Sequence, residues 1–156
     1  MSTATQEEIR HSTYAELIAA KNSRELFDEY AAECAVPELG RINPQDALYE
    51  QMESSGMLQV FTVFERDTLI GCAIVLFYVV PHHGKKMATV ESIFIDKAHR
   101  AGGIGQELMW TIEQEARARD CVAIGYSAPA GGQLERLLSA RKTYRRTSSV
   151  FIRKLS

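Results

Sequence analysis

Apolar residues change their spacing along this chain, and the changes divide it into elements. Residues 1–8 are polar and are expected to fray. Residues 9–13 predict a short first strand, and Tyr14, Leu17 and Ile18 a helical turn. Over 24–35 the residues Leu26, Phe27, Tyr30, Ala31 and Cys34 fall on one helical face. Asn22 and Glu25 stand at capping-box spacing before it, and Pro37 ends it. Asn43-Pro44 supplies a cap and a first position for another helix, with Leu48, Tyr49 and Met52 inward and Gly56 as exit. From Met57 the pattern turns to strands. Residues 58–66, 69–80 and 87–95 are rich in β-branched and aromatic residues, separated by a tight connection at Asp67-Thr68 and by the loop 81–86.

Three strands joined this way form an antiparallel meander. A helical period returns over 104–119, with Ile104, Leu108, Met109, Ile112 and Ala116 on one face and Asp120 as exit, since Asp tolerates the left-handed conformation. Residues 121–126 read as a strand. A helix joins it to the preceding one, so the two should be parallel. A loop over 127–132, a short helix carrying Leu134, Leu137, Leu138 and Arg141, and a terminal strand over 150–155 complete the chain. The fold class is therefore α/β, with a mixed, mostly antiparallel sheet flanked by helices.

The turn between the third strand and the long helix carries the chemistry. It runs Arg100-Ala101-Gly102-Gly103-Ile104-Gly105. The first N–H groups of a helix lack internal partners and sit at the positive end of its dipole, and glycines let an anion approach them. A P-loop is excluded, because no Lys follows the glycines. A dinucleotide-binding turn fails because its third glycine place is Leu108. The remaining pattern, Arg100-x-x-Gly103-x-Gly105, resembles the signature of the GNAT superfamily of N-acetyltransferases. The order of elements resembles that family's layout over nearly the whole chain. Glu29 to Glu33, Pro81 to Gly84, Glu91 to Ile95, Ser127 to Pro129, Tyr144 to Thr147 and Val150 to Leu155 are similar to a GNAT group often carried by phages and prophages.

Composition narrows the setting. A chain of 156 residues fits one domain, and 46% hydrophobic residues suffice for a core. Net charge of −2 and a pI near 6.1 give no reason to expect nucleic acid or an anionic membrane as partner. No apolar run reaches membrane-spanning length, and the first residues lack the pattern of a secretory signal. Cys34, Cys72 and Cys121 are odd in number and outside any metal spacing. They read as small buried hydrophobes in a reducing, cytoplasmic compartment, with no metal site expected.

The resemblance implies a soluble enzyme that moves an acetyl group from acetyl-CoA to an amine by direct attack. The acceptor is a small molecule or a protein. Arg100, Ala101, Gly102, Gly103, Ile104 and Gly105 would hold the pyrophosphate. Ile93, Phe94 and Ile95, on a strand splayed from its neighbour, would hold the pantetheine arm and polarise the carbonyl. Glu91 interrupts an apolar strand, and the family often has a carboxylate there. It is the leading general base, acting through a water, and partial burial would strengthen it. The other reading leaves it on a solvated face or in an ion pair. Alternation puts it opposite Ser92 and Phe94, leaving Ser92 structural. His82 and His83 are the alternative base. Glu29, Tyr30 and Glu33 would wall the acceptor site or form a solvated helix face. Many members carry a Tyr near the end of the last helix. Ser139 stands there instead, which leaves Tyr126, Tyr144 or water to protonate the thiolate. It also lends support to a GNAT-fold acyl-CoA-binding or interaction module with little catalysis. Trp110 lies off its helix's apolar stripe and predicts a loop contact or a homodimer interface.

Overall fold

The strand-forming run after Met57 builds most of a five-stranded sheet ordered β1-β2-β3-β4-β5. The computed structural model describes residues 6–156. β1 (Glu7–Ser12) pairs antiparallel with β2 (Leu58–Glu65), β2 with β3 (Thr68–Val80), and β3 with β4 (Lys85–Ile95). β5 (Ala123–Tyr126) lies parallel to β4 across the helix α4 (Ile104–Ala118), as the crossover requires. Three helices, α1 (Tyr14–Ala19), α2 (Ser23–Cys34) and α3 (Asp46–Ser54), precede the meander, and α5 (Gln133–Ser139) follows β5.

Each face of the sheet has its own core. Ile104, Leu108, Ile112 and Ala116 of α4 pack on Phe61, Val63, Ala73, Val75, Val90 and Ile95. On the other face Tyr14, Leu17 and Leu26 of α1 and α2 pack on Leu58, Val60, Cys72, Ile74 and Phe94, with Tyr30, Tyr49 and Met52 against them. The stripe read on α4 is the set of residues it buries, and Asp120 leaves it at φ +61°.

Several expectations are corrected. Glu7 and Glu8, placed in a frayed end, belong to β1, because Glu65 and Phe64 of β2 offer them ladder partners; residues 1–5 lie outside the described residues. Asn22 precedes α2 but its side chain makes no cap. Its amide instead spans Leu69 of β3, accepting from that residue's N–H at 3.0 Å and donating to its carbonyl at 2.6 Å, which ties the helix to the sheet. α3 begins at Asp46 rather than at Pro44. Tyr14 fixes its first and last turns, donating its hydroxyl to Asp46 at 2.7 Å and its N–H to Glu53 at 2.8 Å. The expected terminal strand over 150–155 is absent. Residues 142–156 hold no helix or strand, and Val150, Phe151, Ile152 and Leu155 are exposed.

Candidate functional site

The ladder between β4 and β5 runs from Met87 opposite Ala123 to Val90 opposite Tyr126 and stops there. β4 continues to Ile95, while the chain beyond Tyr126 turns away into the loop 127–132. The divergence opens a cleft of about 1040 Å³. Ser92 to Ile95 form its floor, Arg100, Gly103 and Gly105 one end, and the loop 127–132 with α5 the far wall.

A bulge sits at the point of divergence. Val75 of β3 opposes Val90 and Ile74 opposes Ser92, so Glu91 is the extra residue of β4 with no partner in β3. The extra residue shifts the alternation of everything after it. Ile93 and Ile95 join Val90 on the α4 face, and Phe94 packs with the α1–α3 face. Ser92 opposes Ile74 and so shares that second face, and Glu91 reaches Tyr49 on it. The expectation that Glu91 lies opposite Ser92 and Phe94 is therefore wrong, because strict alternation does not survive a bulge. Ser92 lines the cleft.

Glu91 is exposed, where partial burial was expected. Tyr49 donates its hydroxyl to Glu91 Oε1 at 3.0 Å, and the Tyr49 ring stacks on Tyr14 at 4.7 Å. Burial first, then the Glu91 carboxylate, pushes the Tyr49 phenol well above its ordinary range, so it stays a donor. Beyond Glu91, Pro44, Leu48, Tyr49, Met52 and Leu76 enclose a smaller hollow of about 260 Å³. Glu91 lines both cavities and so stands where a molecule in the hollow would meet one in the cleft.

The turn before α4 is a 3₁₀ segment over Lys97–Gly102, capped by Asp96, which accepts from the His99 N–H at 3.0 Å. Gly103 follows at φ +88°, a left-handed conformation that disfavours side chains, and a Cβ there would enter open space. No side chain caps α4, and its own hydrogen bonds start with the N–H groups of Gln106 and Glu107 donating to Gly103. The turn thus presents helix-start amides at the end of the cleft, with room for an anion.

Arg100 reaches into this space and is already engaged. Its Nε donates to the Ile95 carbonyl at 2.8 Å and one terminal nitrogen to Glu33 of α2 at 3.0 Å, while the guanidinium lies over the Phe94 ring at 4.9 Å. Lys97 approaches Glu33 as well, at 3.5 Å. The Arg100 hydrogen bond holds the Glu33 carboxyl below the usual range. Tyr30 of α2 meets Phe94 edge-on at 5.8 Å, and burial pushes its phenol up to about 12.

Other candidates lie elsewhere. His82 and His83 lie side by side in the exposed turn between β3 and β4, their rings tilted by 43° with centroids 4.3 Å apart. Six residues of strand, roughly 20 Å, separate the start of β4 from Glu91, and neither histidine lines the cleft. Tyr126 and Tyr144 both donate to Glu113 of α4, at 3.1 and 2.5 Å, and are outside the cleft, as is Ser139. Glu29 is exposed on α2 away from both cavities, and Trp110 is exposed on α4. Reading the chain missed Tyr49 as a partner of Glu91, and Gln133 and Arg136 of α5 as cleft residues. Tyr49 showed only as an inward position of its helix, and nothing in the spacing marked the other two.

Comparison with known proteins agrees with this architecture. A model of the acetyltransferase (GNAT) family matches residues 23–144. No curated protein sequence matches the chain. Among solved structures, a ribosomal-protein-alanine N-acetyltransferase from Brucella melitensis biovar Abortus 2308 is similar at 21% identity and a TM-score of 0.69, over 95% of this chain and 99% of that one. An aminoglycoside acetyltransferase, meta-AAC0020 from an uncultured soil metagenomic sample, aligns at 14% identity and a TM-score of 0.74, over 96% and 97%. AAC(6')-Iy in complex with the bisubstrate analogue CoA-S-monomethyl-acetylneamine aligns at 16% identity and 0.70, over 97% and 99%. At these identities the likeness is one of fold.

Proposed function

The chain belongs to the acetyltransferase (GNAT) family, and from that premise we propose that it is an acetyl-CoA-dependent N-acetyltransferase whose acceptor is a primary amine. The observation that carries the proposal is the bulged Glu91 at the junction of the two cavities. The cleft suits the thioester substrate: it has the length of a splayed strand, and uncapped helix-start amides at the end where a pyrophosphate would lie. The hollow beside Tyr49 suits the acceptor, with apolar walls for a carbon stem and a carboxylate for the amine. AAC(6')-Iy, of similar fold, holds a CoA-linked aminoglycoside analogue, which favours a small cationic amine here.

Acetyl-CoA, when bound, supplies an activated acyl group. Glu91 takes a proton from the ammonium form of the acceptor, directly or through a water, and so frees the nitrogen lone pair. Backbone N–H groups of the Ile93 to Ile95 stretch, released from β5, polarise the carbonyl while the C–N bond forms and the C–S bond breaks, and the nitrogen then gives its second proton to solvent to leave the neutral amide. Arg100 and the amides of Gly103 to Gly105 hold the far end of the substrate and fix the reacting distance. Solvent in the open cleft protonates the departing thiolate. Tyr30 is the one tyrosine among the described residues that lines the cleft, and burial pushes its phenol up, which makes it the weaker acid.

The test is thiol release from acetyl-CoA against a panel of aminoglycosides, polyamines and peptides with free N-termini, with products weighed by mass spectrometry. A product heavier by one acetyl group is expected with at least one small cationic amine. Ser139, standing where many members carry a tyrosine, favours a second reading as an acyl-CoA-binding module. That reading predicts CoA binding with no acetylated product.

A further inference from the structure

The far wall of the cleft belongs to the stretch 127–143, which comprises the loop 127–132, α5 and the turn after it. This stretch packs lightly, and none of its residues is buried. Among the described residues, one hydrogen bond joins its interior to the body, Arg100 donating to Gln133 at a long 3.4 Å. Its two ends are held differently. Tyr126 closes the β5 ladder opposite Val90 just before the wall, and Tyr144 follows just after it. Both hydroxyls donate to the same oxygen, Glu113 Oε1, at 3.1 and 2.5 Å, and the two rings meet edge-on at 5.8 Å. A carboxylate oxygen has lone pairs for two donors, and hydrogen bonds to it are stronger than those between neutral groups. Burial first, then Glu113, raises both phenols, Tyr144 to about 12, so both remain donors.

Glu113 stands on α4, the helix whose start presents its amides at the other end of the cleft. Nine residues of that helix, roughly 14 Å, separate Ile104 from Glu113. One rigid element therefore carries both the anion end and the anchor of the opposite wall. A lightly packed wall tied at both ends to one carboxylate takes its position from that carboxylate. We propose that Glu113 is a positioning residue: by clasping Tyr126 and Tyr144 it sets the spacing between the far wall and Ser92 to Ile95, and with it the affinity of the cleft for acyl-CoA. This rests on the reading of the cleft as the acyl-CoA site. Glu113 itself stays outside the cleft and touches no reacting atom.

Calorimetry with CoA, and kinetics with acetyl-CoA and the best acceptor amine, test the clasp. Glu113→Ala should raise the CoA dissociation constant and the acetyl-CoA KM by about ten-fold, the loss of one hydrogen bond to a charged group. Its kcat and its KM for the amine should stay within about two-fold of wild type. Glu113→Gln keeps an oxygen acceptor and should recover most of the affinity. A purely structural residue would instead lower the active fraction, and with it kcat, at constant KM. Tyr126→Phe combined with Tyr144→Phe keeps both rings and removes both hydrogen bonds. It should match Glu113→Ala, and it carries the test if that variant fails to fold. Amide hydrogen exchange over 127–143 should quicken in these variants while α4 stays protected. Wild-type CoA affinity in either variant, or a fall in kcat at unchanged KM, would overturn the proposal while leaving the cleft's assignment intact. Absence of CoA binding in the wild type would overturn that assignment and the proposal together.

Discussion

Arg100 is the residue on which the proposed cofactor end of the site turns, and it is held by a carboxylate rather than left open to a phosphate. Under the proposed function, Glu33 and a pyrophosphate would compete for the same guanidinium. A partly exposed ion pair of this kind contributes about 1 kcal/mol at most, so Glu33→Gln should tighten CoA binding by roughly five-fold in a calorimetric titration. Weaker binding in that variant would instead make Glu33 part of the receiving site. His99 is the second residue with a measurable consequence. Its imidazole bonds Asp96 first and Glu65 second, and both raise its pKa above 6.5 in the fold. The stabilisation is fully present below pH 6.5 and is lost as pH rises through the raised folded value. The melting temperature of the wild type should therefore fall between neutral and mildly alkaline pH relative to His99→Gln, and parallel profiles for the two proteins would show that this cluster contributes nothing.

At the scale of elements, one irregularity in β4 arranges the site. The bulge at Glu91 reverses the facing of the residues after it, and the end of the β5 ladder one residue earlier opens the cleft. The helices, the meander, the parallel crossover and the Gly-rich turn were legible because each rests on local spacing: the α4 stripe, the β-branched runs, the glycines before Ile104. The facing of Ser92 was not, since a bulge leaves the same apolar pattern on the page as a regular strand. Nor was the docking of Asn22 on Leu69 or of Tyr49 on Glu91, because both join residues more than forty positions apart through tertiary packing. The final strand was misread for a related reason: Val150 to Ile152 has strand composition but no ladder partner among the described residues. Close packing under the cleft gives a prediction at this scale. Gly71 of β3 faces Ile95, and a Cβ there would lie 2.8 Å from the Phe94 carbonyl oxygen and 2.4 Å from the Ile95 Cδ1. Gly71→Ala should cost about 1–3 kcal/mol, a loss of roughly 2–4 °C in melting temperature per kcal/mol. An unchanged melting temperature would mean that the two strands separate there without strain.

For the whole molecule, the sheet splits at one end and three helices cover one of its faces; under the proposed function the split admits a thioester substrate and the helices present an amine to it. Such a molecule should be stabilised by its ligand through mass action, by about 2.7 kcal/mol for CoA at a hundredfold excess over its dissociation constant. ATP and NAD at equal concentration should do much less, and a larger shift with NAD would contradict the assignment of the Gly-rich turn. The most direct measurement compares turnover of Glu91→Gln with wild type, on the amine that proves the best acceptor, alongside His82→Ala and His83→Ala. The glutamine keeps shape and hydrogen bonding but removes basicity. Turnover at pH 7 should fall by roughly 10²–10⁴ with CoA affinity unchanged and both histidine variants near normal, and the deficit should shrink as pH rises and more amine arrives neutral. Near-normal turnover in Glu91→Gln, above all with loss in a histidine variant, would contradict the account.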